Sequence, residues 1–335
     1  MSVYIIAEAG VNHNGRLDLA LKLCDAAKEA GVDAVKFQTW KTENIVTASA
    51  RQAAYQTENT GKSESQYDML KRLELSYAHF EEIQQYCKKI GIDFLSTPDE
   101  EESLAFLMNN LHLPLVKIGS GEVTNIPYLR TIASYQKPVI LSTGMSTLSQ
   151  VAMAYETLLK AGAPKVSLLH CTTNYPCPYE EVNLKAMQTL KDAFKCQVGY
   201  SDHTMGTEIP VAAVAMGAEI IEKHFTLDRN MEGPDHKASL EPQELKLMVQ
   251  QIRHIEQALG NGIKRPNKSE AENEKVVQKS ILAKRPIKKG ELLTSDNLVA
   301  KRAGAGISSV YWDVVVGTKA LYDYDIDEPI RLLSE

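Results

Sequence analysis

The sequence predicts an α/β protein, a (β/α)8 TIM barrel followed by a small β-rich module. Three observations carry that reading. Short apolar runs alternate eight times with longer stretches of helical periodicity, the pattern of a parallel sheet with crossover helices. Nearly every run ends in a polar or charged residue: Glu8, Lys36, Thr97, Lys117, Ser142, His170, Ser201 and His224. A barrel builds its functional face at the C-terminal ends of its strands, whereas an open sheet needs such ends only at its switch point. After Gly260 the pattern changes to a charged stretch and then to short β-like runs.

The expected strands are 4–8, 34–38, 93–97, 115–118, 139–142, 166–170, 197–201 and 220–224. Leu17, Leu21, Cys24 and Ala27 give the first helix an apolar side, and Gly31 supplies a left-handed cap. Thr147 with Gln150 reads as a capping box opening the helix after the fifth strand. The last barrel helix carries Leu245, Met248, Val249, Ile252, Ile255 and Leu259 on one side and stops at Gly260. Residues 41–79 interrupt the alternation with a long polar stretch, expected to be a loop that forms a lid over the barrel mouth. The expected boundaries are a barrel over 1–262, a linker over 263–279 and a module over 280–335. That module is too short for a robust core of its own.

Composition narrows the function. Of 335 residues 44% are hydrophobic and 24% charged, which fits a globular chain and excludes collagen, coiled coil or disorder as the main architecture. Lys plus Arg number 37 against 43 Asp plus Glu, a net charge of −6, and a nucleic-acid binder shows the opposite bias. No apolar run is long enough to span a membrane, and MSVYIIAEAG reads as a first strand rather than a signal peptide. Five cysteines without CxxC spacing suit reduced thiols and a cytoplasmic location.

The strand ends carry the chemistry. KIGSGE places Lys117 before the glycine-bracketed Ser120, a set of ammonium, hydroxyl and exposed amides that suits an anion. Lys36, Thr97, Ser142 and Ser201 stand at equivalent ends, so an anion pocket for phosphate or carboxylate is expected, with a Schiff-base lysine as the alternative. His203 and His224 end neighbouring strands near Glu222, Asp202 and Asp235. Two imidazoles with oxygen donors suit Mn2+ or Mg2+, and packed side chains are the bland alternative. Glu8 and Glu122 are strand-end carboxyls suited to acid–base work or to ion pairs with the lysines.

The ordered motifs AEAGVNHNG, VKFQT, LSTP, KIGSGE, ILSTGM, LLHCTTNYPCPYEEVNL, VGYSDHTMG, IEKHFTLD and GPDHKASLEP resemble the bacterial sialic acid synthases (N-acetylneuraminate synthases). The run AKRPIKKGELLTSDNLVAKRAGAGIS resembles their antifreeze-like (SAF) domain. The resemblance covers essentially the whole chain. It implies condensation of phosphoenolpyruvate with an N-acetylmannosamine-type sugar and water. Phosphoenolpyruvate-binding positions fall on Lys36, Thr97, Lys117, Ser120, Ser142 and Ser201, with Thr173 on the phosphate side. The metal ligands fall on His203 and His224, and sugar contacts on Glu122, Tyr175 and Asp235. Glu8 matches the acidic residue near the reacting centre. The resemblance also implies a domain-swapped homodimer in which Arg302 reaches the partner's sugar. The chain departs from the family pattern at Asp99, Ala303 and Ala305. N-acetylmannosamine is the expected acceptor. The alternatives are a legionaminic acid synthase using 2,4-diacetamido-2,4,6-trideoxymannose and a Schiff-base aldolase.

Overall fold

The computed structural model describes residues 2–52, 56, 57, 59 and 64–331. It divides into two compact units, Met1–Gly260 and Asn261–Glu335. In the first, eight parallel strands follow one another: β1 (Tyr4–Gly10), β2 (Ala34–Thr39), β3 (Asp93–Pro98), β4 (Val116–Ile118), β5 (Val139–Ser142), β6 (Val166–His170), β7 (Val198–Asp202) and β8 (Ile220–His224). Their hydrogen-bonded order is β3-β2-β1-β8-β7-β6-β5-β4. β1 pairs with both β2 and β8, so Ile6 lies opposite Ala34 on one side and Glu222 on the other. β3 and β4, the two ends of that order, pack side by side and complete the barrel. Each expected strand is present, with ends shifted by no more than two residues.

Strand alternation explains where the chemistry comes to lie. Inside the barrel, Ile6, Ala34, Leu95, Ile140 and Ile220 form an apolar plug together with Leu169. Two residues further along the same strands come Glu8, Lys36, Thr97, Ser142 and Glu222. Successive side chains of a strand point to opposite faces, so these polar groups stand directly above the plug. Gly199 of β7 is forced at this crowded level. A Cβ there would meet the Ile220 carbonyl oxygen at 2.2 Å and the Leu169 Cδ2 at 2.7 Å.

The helices close as their caps require. Leu17–Ala30 ends at Gly31 with φ +83°, and Leu148–Lys160 opens with both halves of the Thr147–Gln150 capping box. Residues 41–79 differ from the expected single loop. They hold the helices Thr42–Ile45 and Gln66–Leu73, and Met69 and Leu73 of the second pack on Val11 and Trp40. Residues 53–55, 58 and 60–63 of the expected lid lie outside the described residues.

In the second unit, the stretch read as a linker contains the helix Ala271–Val277, which buries no side chain. Beyond it, β9 (Lys279–Ala283) pairs antiparallel with β10 (Leu298–Arg302). Ile281, Ala283, Ile287, Leu293, Leu298, Val315, Ala320, Tyr324 and Ile330 form a small core. Among the described residues no helix is long and apolar enough to cross a membrane.

Candidate active site

Seven of the eight expected polar strand ends converge on one cleft at the C-terminal mouth of the barrel, whereas His170 turns to the Val182 carbonyl, with its Nε2 2.8 Å away. Glu8, Lys36, Thr97, Lys117, Ser120, Ser142, Thr173, Tyr175, Ser201, His203 and His224 all line it. Lys36 Nζ stands 2.8 Å from Glu8 Oε2 and donates to Thr97 Oγ1 at 3.0 Å. Lys117 Nζ donates to Ser142 Oγ at 2.8 Å and to the Ile118 carbonyl at 3.2 Å. Ser120 Oγ accepts from the Gly144 N–H at 2.9 Å and lies 3.2 Å from Cys171 Sγ. A Cβ on Gly144 would meet Thr173 Oγ1 at 2.3 Å, so any side chain there would have to displace Thr173 from this wall of the cleft.

Glu222 is the residue that sequence reasoning named only as a neighbour. It occupies the centre. Ser201 donates to its Oε1 at 2.8 Å, Lys117 lies 3.4 Å from the same oxygen, and Lys36 lies 3.6 Å from Oε2. The signal was available, because Glu222 and His224 are two apart on one strand and must share a face. Burial alone would raise Glu222, but Lys117 and Lys36, with the Ser201 hydrogen bond, hold it at about 2. Burial pushes Glu8 up to about 8 against the opposing Lys36 ammonium, and repulsion from Glu222 adds to the rise. Two neighbouring carboxyls are thus driven apart by their surroundings. Burial would lower Lys36, yet Glu222 and Glu8 keep it above its ordinary value. Lys117 is lowered by burial, with Glu222 opposing and Lys36 reinforcing.

His203 and His224 face each other edge-on with ring centres 5.4 Å apart, and Tyr175 packs against both. His203 Nδ1 lies 2.6 Å from the Thr172 carbonyl. That contact places the proton on Nδ1 and leaves the Nε2 lone pair free. His224 Nδ1 is buried without a hydrogen-bond partner, 3.9 Å from Asp235 Oδ2. Burial lowers both histidines, and His203 adds to the effect on His224. Neutral imidazoles with free lone pairs are the donors a divalent cation needs. Among the described residues no group of three or more His, Cys, Asp and Glu is placed to hold a metal, so such a cation would complete its shell with water or substrate oxygens.

Not every expected residue reaches the cleft. Asp235 is buried behind His224, and burial raises it to about 6. Glu122 lies on the 3-10 turn Ser120–Thr124, where its Oε2 accepts from Asn125 at 2.7 Å, and it does not line the cleft. Arg302 ends β10 in the second unit and is exposed. Gln38 and Asp99, which carried no assigned role, do line the cleft. Burial pushes Asp99 up to about 7, opposed by Lys36 and reinforced by Glu122 and Glu100.

Comparison with known proteins places these features in a context. Residues 23–264 match the model of the NeuB family, and residues 278–332 match the SAF domain. The chain is 54% identical to the N,N'-diacetyllegionaminic acid synthase of Campylobacter jejuni subsp. jejuni serotype O:2, over 98% of each chain. It is 47% identical to the protein of the same name from Legionella pneumophila subsp. pneumophila, over 95% of this chain and 90% of that one. A crystal structure of the N-acetylneuraminic acid synthetase of Leptospira borgpetersenii, 37% identical, superposes with a TM-score of 0.72 over 82% of this chain and 90% of that chain.

Proposed function

Because the chain belongs to the NeuB family and carries a SAF domain, we propose that it is a synthase joining phosphoenolpyruvate to an open-chain acetamido sugar. We take the acceptor to be 2,4-diacetamido-2,4,6-trideoxymannose and the products to be N,N'-diacetyllegionaminic acid and phosphate. One observation carries the choice. The relatives at 54% and 47% identity, matched almost end to end, are both named for that product, whereas the sialic acid synthetase stands at 37%. This reverses the order expected from the sequence, which put N-acetylmannosamine first.

The reaction forms one carbon–carbon bond and, at C2, replaces the carbon–oxygen bond to phosphate by one to a water oxygen. Phosphoenolpyruvate C3 attacks the sugar aldehyde carbon, water adds to C2, and the bond from C2 to the phosphate oxygen then breaks to give the 2-keto acid. In this reading Lys36, Thr97, Lys117, Ser120, Ser142 and Ser201, with Thr173 at the edge, hold the phosphate and carboxylate and fix C3 against the aldehyde. Both lysines contact Glu222 at 3.4–3.6 Å, so an incoming anion can draw them away from it. Glu8, with its raised pKa, is the group that passes a proton to the aldehyde oxygen as it gains charge. Glu122 stands outside the cleft lining, and we assign it no proton transfer. Tyr175 packs the imidazoles, and Asp235 faces His224. His203 and His224 would hold Mn2+ or Mg2+, which supplies Lewis-acid polarisation of a carbonyl oxygen.

We also propose a cytoplasmic homodimer in which Arg302 of the partner subunit meets the sugar. Mixing Arg302→Ala with His224→Ala chains should then regain activity that neither homodimer has. The main test offers phosphoenolpyruvate with the diacetamido sugar and with N-acetylmannosamine side by side and identifies products by mass spectrometry. Formation of N-acetylneuraminate alone would overturn the legionaminic reading.

A further inference from the structure

We infer that Asp99 is a specificity residue whose carboxylate accepts a hydrogen bond from an amide N–H carried by the acceptor sugar away from its aldehyde end. The inference rests on the synthase reading and adds to it the contact that selects the acceptor.

Asp99 lies one residue beyond β3, and its N–H still donates to the Thr39 carbonyl at 3.1 Å, which prolongs the β2–β3 ladder. Its side chain therefore keeps the alternation of the strand and shares the cleft face with Thr97. The cleft has two levels. At the lower level Lys36, Lys117, Ser142 and Ser201 are buried, and they gather the positive charge that suits an anion. At the upper level Gln38, Asp99, Ser120, Thr173 and Tyr175 are half-buried. The aldehyde carbon must meet phosphoenolpyruvate C3 at the lower level, so the rest of the sugar extends through the upper one.

Among the carboxylates that line the cleft, Asp99 is the uncommitted one. Glu8 is paired with Lys36, and Glu222 with Ser201 and both lysines. Asp99 has no side-chain hydrogen bond or ion pair with any described residue. Burial raises Asp99 to about 7; above that pH its carboxylate only accepts, and a donor brought by the substrate would favour that form and relieve its lack of a partner. Phosphoenolpyruvate, itself an anion at both ends, is repelled by such a group, which leaves the neutral sugar to provide the donor. A hydroxyl both donates and accepts, and so tolerates many partners. An amide N–H only donates, so against an acceptor-only carboxylate it gives a one-way match and the stronger discrimination. The 4-acetamido group of the proposed acceptor carries such an N–H two carbons further from the aldehyde than its 2-acetamido group does.

The test compares wild type, Asp99→Ala and Asp99→Asn in steady-state kinetics with the diacetamido sugar and with its 4-O-acetyl analogue, which lacks that N–H. Wild type should prefer the amide by about tenfold or more in kcat/KM. Asp99→Ala should lose the preference, with the sugar KM up about tenfold and the phosphoenolpyruvate KM within about twofold of wild type. Asp99→Asn, which keeps an acceptor oxygen, should recover part of it. An unchanged sugar KM in Asp99→Ala, or an equal rise in both KM values, overturns the inference while the synthase reading stands. If wild type condenses neither acetamido sugar, the synthase reading falls and takes the inference with it.

Discussion

Between them β7 and β8 present a lysine-paired carboxylate on each face of the barrel wall, Asp202 outside and Glu222 inside, and the two faces treat it differently. Outside the barrel, Lys223 is fully buried and closed. Its Nζ donates to Asp202 Oδ2 and to the Thr204 carbonyl, each at 2.5 Å, while Thr204 N–H and Oγ1 occupy Asp202 from the other side. Inside, Lys36 and Lys117 share Glu222 at 3.6 and 3.4 Å, and Glu222 Oε2 and His224 Nδ1 have no hydrogen-bond partner. A buried charge without full compensation is costly. The outer network spends its groups on each other and fixes the turn from Asp202 to Thr204 that carries His203. The inner network keeps bonding capacity in reserve, and reserve in a buried cluster is the mark of a place where something else binds.

That contrast can be broken at measurable points. The largest effect is expected from His203→Ala or His224→Ala, each of which should cost about a thousandfold or more in turnover with the fold retained by circular dichroism. Chelator should silence wild type equally, with recovery on adding Mn2+ or Mg2+. Full activity in excess chelator would remove the metal from the site. Next comes the closed network. Lys223→Met leaves Asp202 buried and unpaired and should cost about 3–5 kcal/mol of stability in urea unfolding, most of it recovered by adding Asp202→Asn. A loss under about 1 kcal/mol would mean the outer pair is not closed. Lys117→Met, in the open network, should leave stability nearly unchanged and weaken phosphoenolpyruvate by about 1.5–3 kcal/mol, read as a higher KM with sugar binding intact. Labelling of Lys117 by borohydride and pyruvate would instead make it a Schiff-base lysine, a role that its lowered pKa would suit.

The barrel was legible because its signals are local. Apolar runs of strand length, the Gly31 cap and the Thr147–Gln150 capping box are all written within a few residues, and the same local pattern of polar strand ends picked out Lys36, Thr97, Lys117, Ser142, Ser201 and His224, which line the cleft, together with His170, which does not. What escaped depends on distant partners. The helix Gln66–Leu73 has only Met69 and Leu73 to bury, and it is anchored by Val11 and Trp40, which no local pattern reveals. Glu222 and Lys223 are adjacent in sequence and similar in polarity, and only the pleat and the partners contributed by β2, β4 and β7 give one to the cleft and the other to the outer face. Glu122 looked like a cleft carboxyl because it follows a strand, but the 3-10 turn carries it to Asn125.

The seam between β3 and β4 has a consequence of its own. Seven of the eight neighbouring strand pairs are joined by ladders, and these two lie side by side without one. The groups beside the seam are Thr97 and Asp99 on one side and Lys117 and Ser120 on the other. A molecule that touches both sides would act as a staple across the one unladdered joint, so part of its binding free energy would be felt as resistance of the barrel to opening. Substrate occupancy and mechanical closure of the cylinder become two readings of a single equilibrium, and the amides flanking the seam are where hydrogen exchange should slow first as the cleft fills.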